Sequence, residues 1–338
     1  MSEARFFHIT QAGKIVPVAS LELALAAFEN DGFLWLDYCE PAKEDLSVLI
    51  EPLGLHPLSI EDCTDENQIP KIEDYPLHTF ILFNAFIISD KDLVIQEVDM
   101  FIGDRFLVTV SQRGPDGQPL LKGYERFIEL DLGNACQGPA FLSHVILDRI
   151  VDQKFIAIEA LEEELNDAED IILADLPNFS PGDLLNLRRE LLTLRKSLFH
   201  EREVLVKILR RDCKFIPEGA ILYFRDIYDH LAKFFELTES SREIVSTLME
   251  MYLSMVNNRM SKSANDMNST VRRLTFITTI FMPLTLLASI GGMSEWSMMT
   301  GPENWKMAYP LFLLGMVCLG GISYFLLKLI EKHRGDSD

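Results

Sequence analysis

The chain has 338 residues, with 52 acidic against 31 basic side chains, so its formal net charge at pH 7 is −21. This balance argues against a nucleic-acid partner, which needs a basic face. It suits a protein that attracts cations, although a solvated acidic surface is the commoner cause of such a charge. The five cysteines are scattered without close pairs, so no disulfide framework is predicted and a reducing cytosol suits the polar part of the chain.

Residues 1–145 predict a cytoplasmic α/β domain. Runs rich in Phe, Ile, Leu and Val, separated by turn-forming residues, predict strands at 33–37, 78–88, 93–102 and 105–110. The stretch 41–53 predicts one helix, which Gly54 ends. The sequence contains neither a glycine-rich phosphate loop nor a nucleophile with a base nearby, so we predict no enzyme activity and no organic cofactor.

Residues 146–219 predict an acidic helical hairpin that belongs to the cytoplasmic domain, with a turn at 177–182. Two apolar stripes at helical spacing indicate the buried seam of the pair. The outer face of the first helix carries a run of carboxylates, which favours a solvated face over a specific cation-attracting patch. The stripes are Val151, Phe155, Ile158, Leu161, Leu165 and Ile172, then Leu184, Leu187, Leu191, Leu194 and Leu198; the acids are Glu159, Glu162, Glu163, Glu164, Asp167, Glu169 and Asp170.

Residues 220–273 predict a long stalk helix. Neither proline nor glycine occurs between Gly219 and Pro283, so a single helix is predicted to continue into the apolar end of the chain. Its middle, 252–270, is poor in large apolar side chains and rich in Asn and Ser, which does not suit a dry core. In a bundle of several copies of the chain, this segment would line a water-filled central axis. The alternative is a polar stalk with no role in conduction.

Two apolar windows, 274–294 and 307–327, contain no charged residue, and each is long enough to cross a bilayer as a helix. An outer loop at 295–306 joins them, and 328–338 forms a tail. Basic residues precede the first window and follow the second, whereas the loop between them has Glu295 and Glu303 against Lys306 alone. The positive-inside rule therefore places both termini in the cytoplasm. Because two helices cannot enclose a water-filled path, any transport requires several copies of the chain.

The first apolar window carries a polar stripe. Its members recur every three or four residues and therefore lie on one helix face: Leu274, Thr278, Met282, Thr285 and Ser289. A stripe of hydroxyls that faces a bundle interior is typical of a pore lining. Small and hydroxyl-bearing residues also form contact surfaces between membrane helices, so helix packing is an equal alternative.

A series of short motifs runs along almost the whole chain. They are Trp35-Leu36-Asp37, Gly54-Leu55-His56-Pro57-Leu58, Ile60-Glu61-Asp62, Gln68-Ile69-Pro70-Lys71-Ile72-Glu73, Tyr223-Phe224-Arg225-Asp226-Ile227-Tyr228-Asp229-His230, Ile280-Phe281-Met282-Pro283-Leu284-Thr285, Gly292-Met293 and Tyr309-Pro310. Each motif is weak alone, but their order, with two apolar windows at the C-terminal end, is specific. Together they resemble the CorA family of divalent-cation channels.

The resemblance implies an α+β membrane protein: a funnel-shaped homopentamer with a cytoplasmic α/β domain, a long helical stalk and a C-terminal two-helix transmembrane hairpin. It also implies a regulatory metal between neighbouring subunits, held by Asp62, with Glu61 beside it, and by Asp226 of the next subunit. Facing carboxylates suit a hard cation and repel each other without one. The implied pore residues are Leu274, Thr278, Met282, Thr285, Ser289, Gly292, Met293 and Ser294, with Asn268 and Asn257 further along the cytoplasmic path.

The chain departs from the family at the outer pore mouth, where Gly292-Met293-Ser294 replaces the Gly-Met-Asn signature. A serine hydroxyl is shorter than an asparagine amide and both donates and accepts hydrogen bonds. A ring of serine hydroxyls would be wider than a ring of asparagine amides, and its hydrogen bonds would be less directional. Both differences bear on ion selectivity. Glu295 and Glu303 are candidates to compensate, as acids at the entrance.

The predicted function is therefore channel-type transport of divalent cations, Mg²⁺ first and Co²⁺ or Ni²⁺ as well, across the inner membrane of a bacterium. Intracellular Mg²⁺ would be both cargo and regulator. Two alternatives stay open: a proton-coupled Zn²⁺ transporter of the same superfamily, and a membrane-anchored metal sensor that does not conduct.

Overall fold

The computed structural model describes residues 3–28, 31–65, 68–89, 92–130, 132–292, 301 and 303–335. Its internal contacts divide the chain into two units, Met1–Tyr252 and Leu253–Asp338. The predicted limits of the stalk, outer loop and tail differ from this single division and stay predictions.

The first unit is built on a seven-stranded sheet in the order β2-β1-β3-β7-β6-β5-β4. Only β3 and β7 run parallel; the other neighbouring pairs are antiparallel. The strands are β1 (Glu3–Ile9), β2 (Ile15–Val18), β3 (Phe33–Cys39), β4 (Lys71–Asp74), β5 (Thr79–Ser89), β6 (Asp92–Ile102) and β7 (Phe106–Ser111). The four predicted strands correspond to β3, β5, β6 and β7, which lie in the interior of the sheet and read as apolar runs.

Short helices cover one face of the sheet: α1 (Leu21–Ala27), α2 (Lys43–Ser47), α3 (Ile50–Leu53) and α4 (Pro57–Asp62). The prediction of one helix over 41–53 was wrong, because α2 and α3 are separate. Val48 and Leu49 separate the two helices. Pro52, inside α3, has no N–H to donate to the carbonyl of Val48, so a continuous helix would lack this hydrogen bond. Gly54 does end α3, with a φ of 70° that favours glycine.

Long helices pack against the other face: α7 (Pro139–Ala174) contacts β5, β6, β7 and β3, and α8 (Pro181–Leu209) contacts β4 and β5. Before them come α5 (Tyr124–Leu130) and α6 (Leu132–Ala135), and the turn between α7 and α8 contains a 3-10 helix at Leu176–Asn178. The predicted stripe of α8 is buried throughout, and that of α7 is buried except for half-buried Phe155, which stacks on Phe234. The acidic outer face of α7 is exposed except for partly exposed Glu162.

The predicted uninterrupted helix is confirmed as α9 (Glu218–Gly291), which is 74 residues long and continues through Pro283. It is followed by α10 (Trp305–Gly335). Both helices contain a window apolar and long enough to cross a membrane. The segment 252–270, rich in Asn and Ser, is exposed or half-buried throughout, consistent with its lack of large apolar side chains.

Candidate functional site

The acids predicted to bind a regulatory metal, Glu61 and Asp62, form the C-terminal end of α4. Pro57 starts this helix, and His56 caps it by accepting a hydrogen bond from the Leu58 N–H through its ring nitrogen. Asp62 pairs with Lys71 at 2.8 Å between Oδ1 and Nζ, whereas Glu61 is exposed. Any cation that binds Asp62 must therefore displace or accommodate the Lys71 ammonium group.

Buried His78 fixes α4 to the sheet. Its Nε2 lies 3.1 Å from the Ser59 hydroxyl, and its ring stacks on Tyr75, which in turn stacks on His56. Burial lowers the pKa of His78 to about 4, so the imidazole is neutral at physiological pH. The stack of His56, Tyr75 and His78 thus holds the N-terminal part of α4 on the sheet, one turn before the two acids.

The other predicted ligand, Asp226, lies on α9 beside two further metal-binding side chains. Ligand atoms of Asp148, on α7, and of Asp226 and His230, on α9, all lie within 4.8 Å of one another. Two carboxylates and an imidazole at this separation form a suitable donor set for a divalent cation. Asp148 and His230 thus join Asp226 as candidate metal ligands at this site.

Asp148 and His230 were not among the ligands predicted from the sequence. The spacing of four residues between Asp226 and His230 puts both side chains on one helix face and was an available signal. Asp148 gives no such signal, because its approach to α9 depends on the packing of two helices far apart in sequence.

The polar stripe of the apolar window occupies one face of α9. All five members are exposed: Leu274, Thr278, Met282, Thr285 and Ser289. At about 100° per residue they lie roughly opposite the half-buried side chains Phe276, Ile280, Pro283, Leu284 and Leu287.

The half-buried face of α9 is the one that packs against α10. Leu284 lies 3.6 Å from the point where a Cβ of Gly320 would stand, and a Cβ on Gly291 would come within 2.8 Å of the Phe312 ring. Small residues permit this close approach between the helices. Among the described residues, these contacts with α10 therefore use the face of α9 opposite the polar stripe.

The threonines of the stripe use their protons inside the helix. Thr278 Oγ1 donates to the carbonyl of Leu274, and Thr285 Oγ1 donates to the carbonyl of Phe281, both at 2.8 Å. Each hydroxyl oxygen keeps its acceptor capacity for a group outside the helix. The exposed face thus presents hydrogen-bond acceptors between the apolar side chains Leu274 and Met282.

The remaining predicted pore residues lie along the same helix or beyond its end. Asn257 and Asn268 are exposed on α9, Gly292 follows the helix directly, and Glu303 is exposed shortly before α10. Met293, Ser294 and Glu295 lie outside the described residues, so the predicted serine ring and the adjacent acid stay predictions.

Comparison with known proteins gives the chain's family. Residues 30–329 match the family described as CorA-like Mg²⁺ transporter protein. The chain is 33% identical to YfjQ of Bacillus subtilis, covering 87% of this chain and 88% of that one, and 30% identical to the cobalt/magnesium transport protein CorA of Thermotoga maritima, covering 82% and 77%. The complete structure of the CorA magnesium transporter from Methanocaldococcus jannaschii superposes with a TM-score of 0.69 at 22% identity, covering 96% and 97%. The chain belongs to the CorA-like family of metal-ion transport proteins.

Proposed function

We propose that the chain forms a passive channel for divalent cations, with Mg²⁺ as the main cargo and Co²⁺ or Ni²⁺ also admitted. The observation that carries this proposal is the exposed stripe of α9, whose hydroxyl oxygens are free to accept hydrogen bonds on the face that α10 does not cover. One helix face cannot enclose a path, so five copies would surround it, as the family resemblance implies. The T. maritima relative is named for both cobalt and magnesium transport.

The stripe suits an ion that keeps its water. Mg²⁺ sheds its hydration shell reluctantly, and its bound water molecules are hydrogen-bond donors. Rings of Thr278, Thr285 and Ser289 oxygens would accept those hydrogen bonds without replacing the shell. Rings of Leu274 and Met282 would form apolar constrictions that close by losing water. Asn268 and Asn257 would extend the polar lining towards the cytoplasm.

Regulation would come from metal bound between subunits. Asp62 of one subunit and Asp226 of the next would share a divalent cation, with Glu61 adding negative charge nearby. The group of Asp148, Asp226 and His230 supports a metal near Asp226, since its ligand atoms already converge within one chain. High intracellular Mg²⁺ would hold neighbouring subunits together and keep the channel closed; metal loss would leave the acids to repel one another.

The same proposal locates the protein in the bacterial inner membrane, with α9 and α10 as its crossings and both termini in the cytoplasm. Basic residues before the first apolar window and after the second support this orientation. They are Arg259, Lys262, Arg272 and Arg273, then Lys328, Lys332, His333 and Arg334.

Ion uptake by liposomes that contain the purified protein tests this proposal. A channel takes up Mg²⁺ without a pH gradient, a proton-coupled transporter takes up Zn²⁺ only with one, and a sensor takes up neither. Native mass spectrometry of the same preparation checks assembly. A stable monomer or dimer in mild detergent, or the absence of Mg²⁺ uptake, would contradict the channel.

A further inference from the structure

A second group of metal-binding side chains lies in a cavity of about 270 Å³ at the C-terminal end of α4. Cys63, the residue that follows α4, lines it together with Glu97 and Asp99 of β6. Glu97 and Asp99 are two residues apart on a strand and therefore share one face of the sheet. The exposed residues Thr64 and Asp65 lie at the rim of this cavity.

Asp99 occupies a position that an apolar residue would ordinarily fill. It is only 3% exposed, and its cross-strand neighbours Leu82 and Val110 are buried apolar residues. Cys63 and Asp99 line the same cavity, but the Cys63 thiol donates its hydrogen bond to the Ser59 carbonyl at 3.3 Å, and Asp99 Oδ1 is buried without a hydrogen-bond partner. Burial raises the pKa of Asp99 to about 8. A buried carboxyl with an unpartnered oxygen on a cavity is costly without a ligand.

The surrounding charges also favour a cation. Glu97 contributes a second carboxylate, whose Oε1 is buried without a hydrogen-bond partner. The positive charge of Lys71 favours the ionised forms of both Glu97 and Asp99, but its ammonium group is paired with Asp62 at 2.8 Å. One lysine thus faces three carboxyl groups, and a bound cation would supply the additional positive charge.

We propose that this cavity binds a thiophilic divalent cation such as Zn²⁺ or Co²⁺, with the Cys63 thiolate and the Asp99 carboxylate as direct ligands. Glu97 contacts the ion through water, for which the cavity has room. A thiolate ligand selects Zn²⁺ or Co²⁺ over Mg²⁺, which prefers oxygen ligands. On binding, the thiol proton is released to solvent. The site goes beyond the proposed transport function and uses no residue of the α9 stripe, so its test needs no ion flux.

Co²⁺ titration of the purified, fully reduced chain tests this site, because a thiolate bound to Co²⁺ gives a sulfur-to-metal charge-transfer band in the near ultraviolet. We expect the wild type to develop the band at one Co²⁺ per chain. Cys63→Ser should lose it, and isosteric Asp99→Asn should keep it with affinity weakened about tenfold or more. The matched control is Cys213→Ser, which removes a free cysteine outside the cavity lining and should leave the band unchanged.

Metal competition and protein stability complete the experiment. Zn²⁺ should abolish the Co²⁺ band at a concentration at least about 100-fold below that at which Mg²⁺ does. Without metal, Asp99→Asn should melt at or above the wild-type temperature, because it removes a costly buried carboxyl; that result also shows that the variant folds. A wild type without the band, an undiminished band in Cys63→Ser, or equal displacement by Mg²⁺ and Zn²⁺ would overturn the proposal.

Discussion

Lys154 and Glu201 form a fully buried ion pair between α7 and α8. The Glu201 carboxylate also accepts a hydrogen bond from the Asn84 backbone N–H at 3.1 Å, and the Lys154 ammonium lies 4.3 Å from the centres of the Phe83 and Phe86 rings. Burial lowers the pKa of Lys154 to about 8 and raises that of Glu201, because both groups lose hydration. The pair links α7 and α8 to β5. Each residue contributes to stability chiefly because the other compensates its buried charge.

Lys154→Met should destabilise the protein by about 3–5 kcal/mol, since it leaves the Glu201 carboxylate buried and unpaired. The double variant Lys154→Met with Glu201→Leu should recover most of that loss, because it removes both charges. Thermal unfolding of the two single variants and the double variant in detergent provides the double-mutant cycle. Additive losses in the double variant would show that the two residues act independently.

His78 should make stability depend on pH. Its pKa is lowered to about 4 in the folded protein, against an ordinary value of 6.5, so the unfolded chain binds the proton more readily. Stability from this residue is full above pH 6.5 and is lost as pH falls towards 4, by about 3 kcal/mol in total. His78→Gln should flatten the unfolding curve over this interval. Identical pH dependence in both proteins would contradict the assignment.

At the scale of elements, sequence patterns were most informative where one physical cause dominated. The leucines of α8 recur at helical spacing because a single buried face requires them, and α9 is uninterrupted because it lacks glycine and proline up to Pro283. Patterns were least informative for β1, β2 and β4. Those lie towards the sheet edges, where half-exposed sequences resemble loops.

The candidate site was predictable to the extent that it follows local sequence. The stripe of α9 repeats along one helix face, so its members could be named in advance. Asp148 near Asp226, and Lys71 against Asp62, depend on contacts between separate elements that no local pattern encodes. The cavity at Cys63 was missed for the same reason, because it joins α4 to β6.

The end of α4 should set the Mg²⁺ response of the cytoplasmic domain. Neutralising Asp62 or Asp226 removes a charged ligand, so Asp62→Ala and Asp226→Ala should raise the Mg²⁺ concentration needed for protection from protease. Lys71→Met should lower it, since Asp62 would no longer be paired with an ammonium group. A protection curve that stays unchanged in both Asp variants would exclude these acids from the regulatory site.

The outer pore mouth should discriminate weakly among Mg²⁺, Co²⁺ and Ni²⁺, because serine hydroxyls orient a hydrated ion less firmly than amide carbonyls. Capture would then depend on Glu295 and Glu303, whose attraction is screened over about 8 Å at physiological salt. Ser294→Asn should sharpen the preference for Mg²⁺ and reduce the dependence of uptake on salt, and Glu295→Gln should reduce uptake at low salt. Competitive uptake at two salt concentrations measures both effects. No change in either variant would refute this role for the pore mouth.

At the scale of the whole molecule, two features support divalent-cation transport. The chain carries a net charge of −21, much of it on the exposed face of α7, which raises the local concentration of cations. Its apolar end presents a face with hydroxyl acceptors that no described contact with α10 covers. Neither feature forms a path in one chain, so the proposed channel needs several copies of the chain.

The most direct test of this account is the Mg²⁺ current through the purified protein in a planar bilayer, recorded with and without a pH gradient. A passive channel predicts a current that reverses at the Mg²⁺ equilibrium potential and does not change with the pH gradient. Lowering Mg²⁺ on the cytoplasmic side should increase the current. A protein that carries no Mg²⁺ current, or whose transport appears only with a pH gradient, would contradict the central claim.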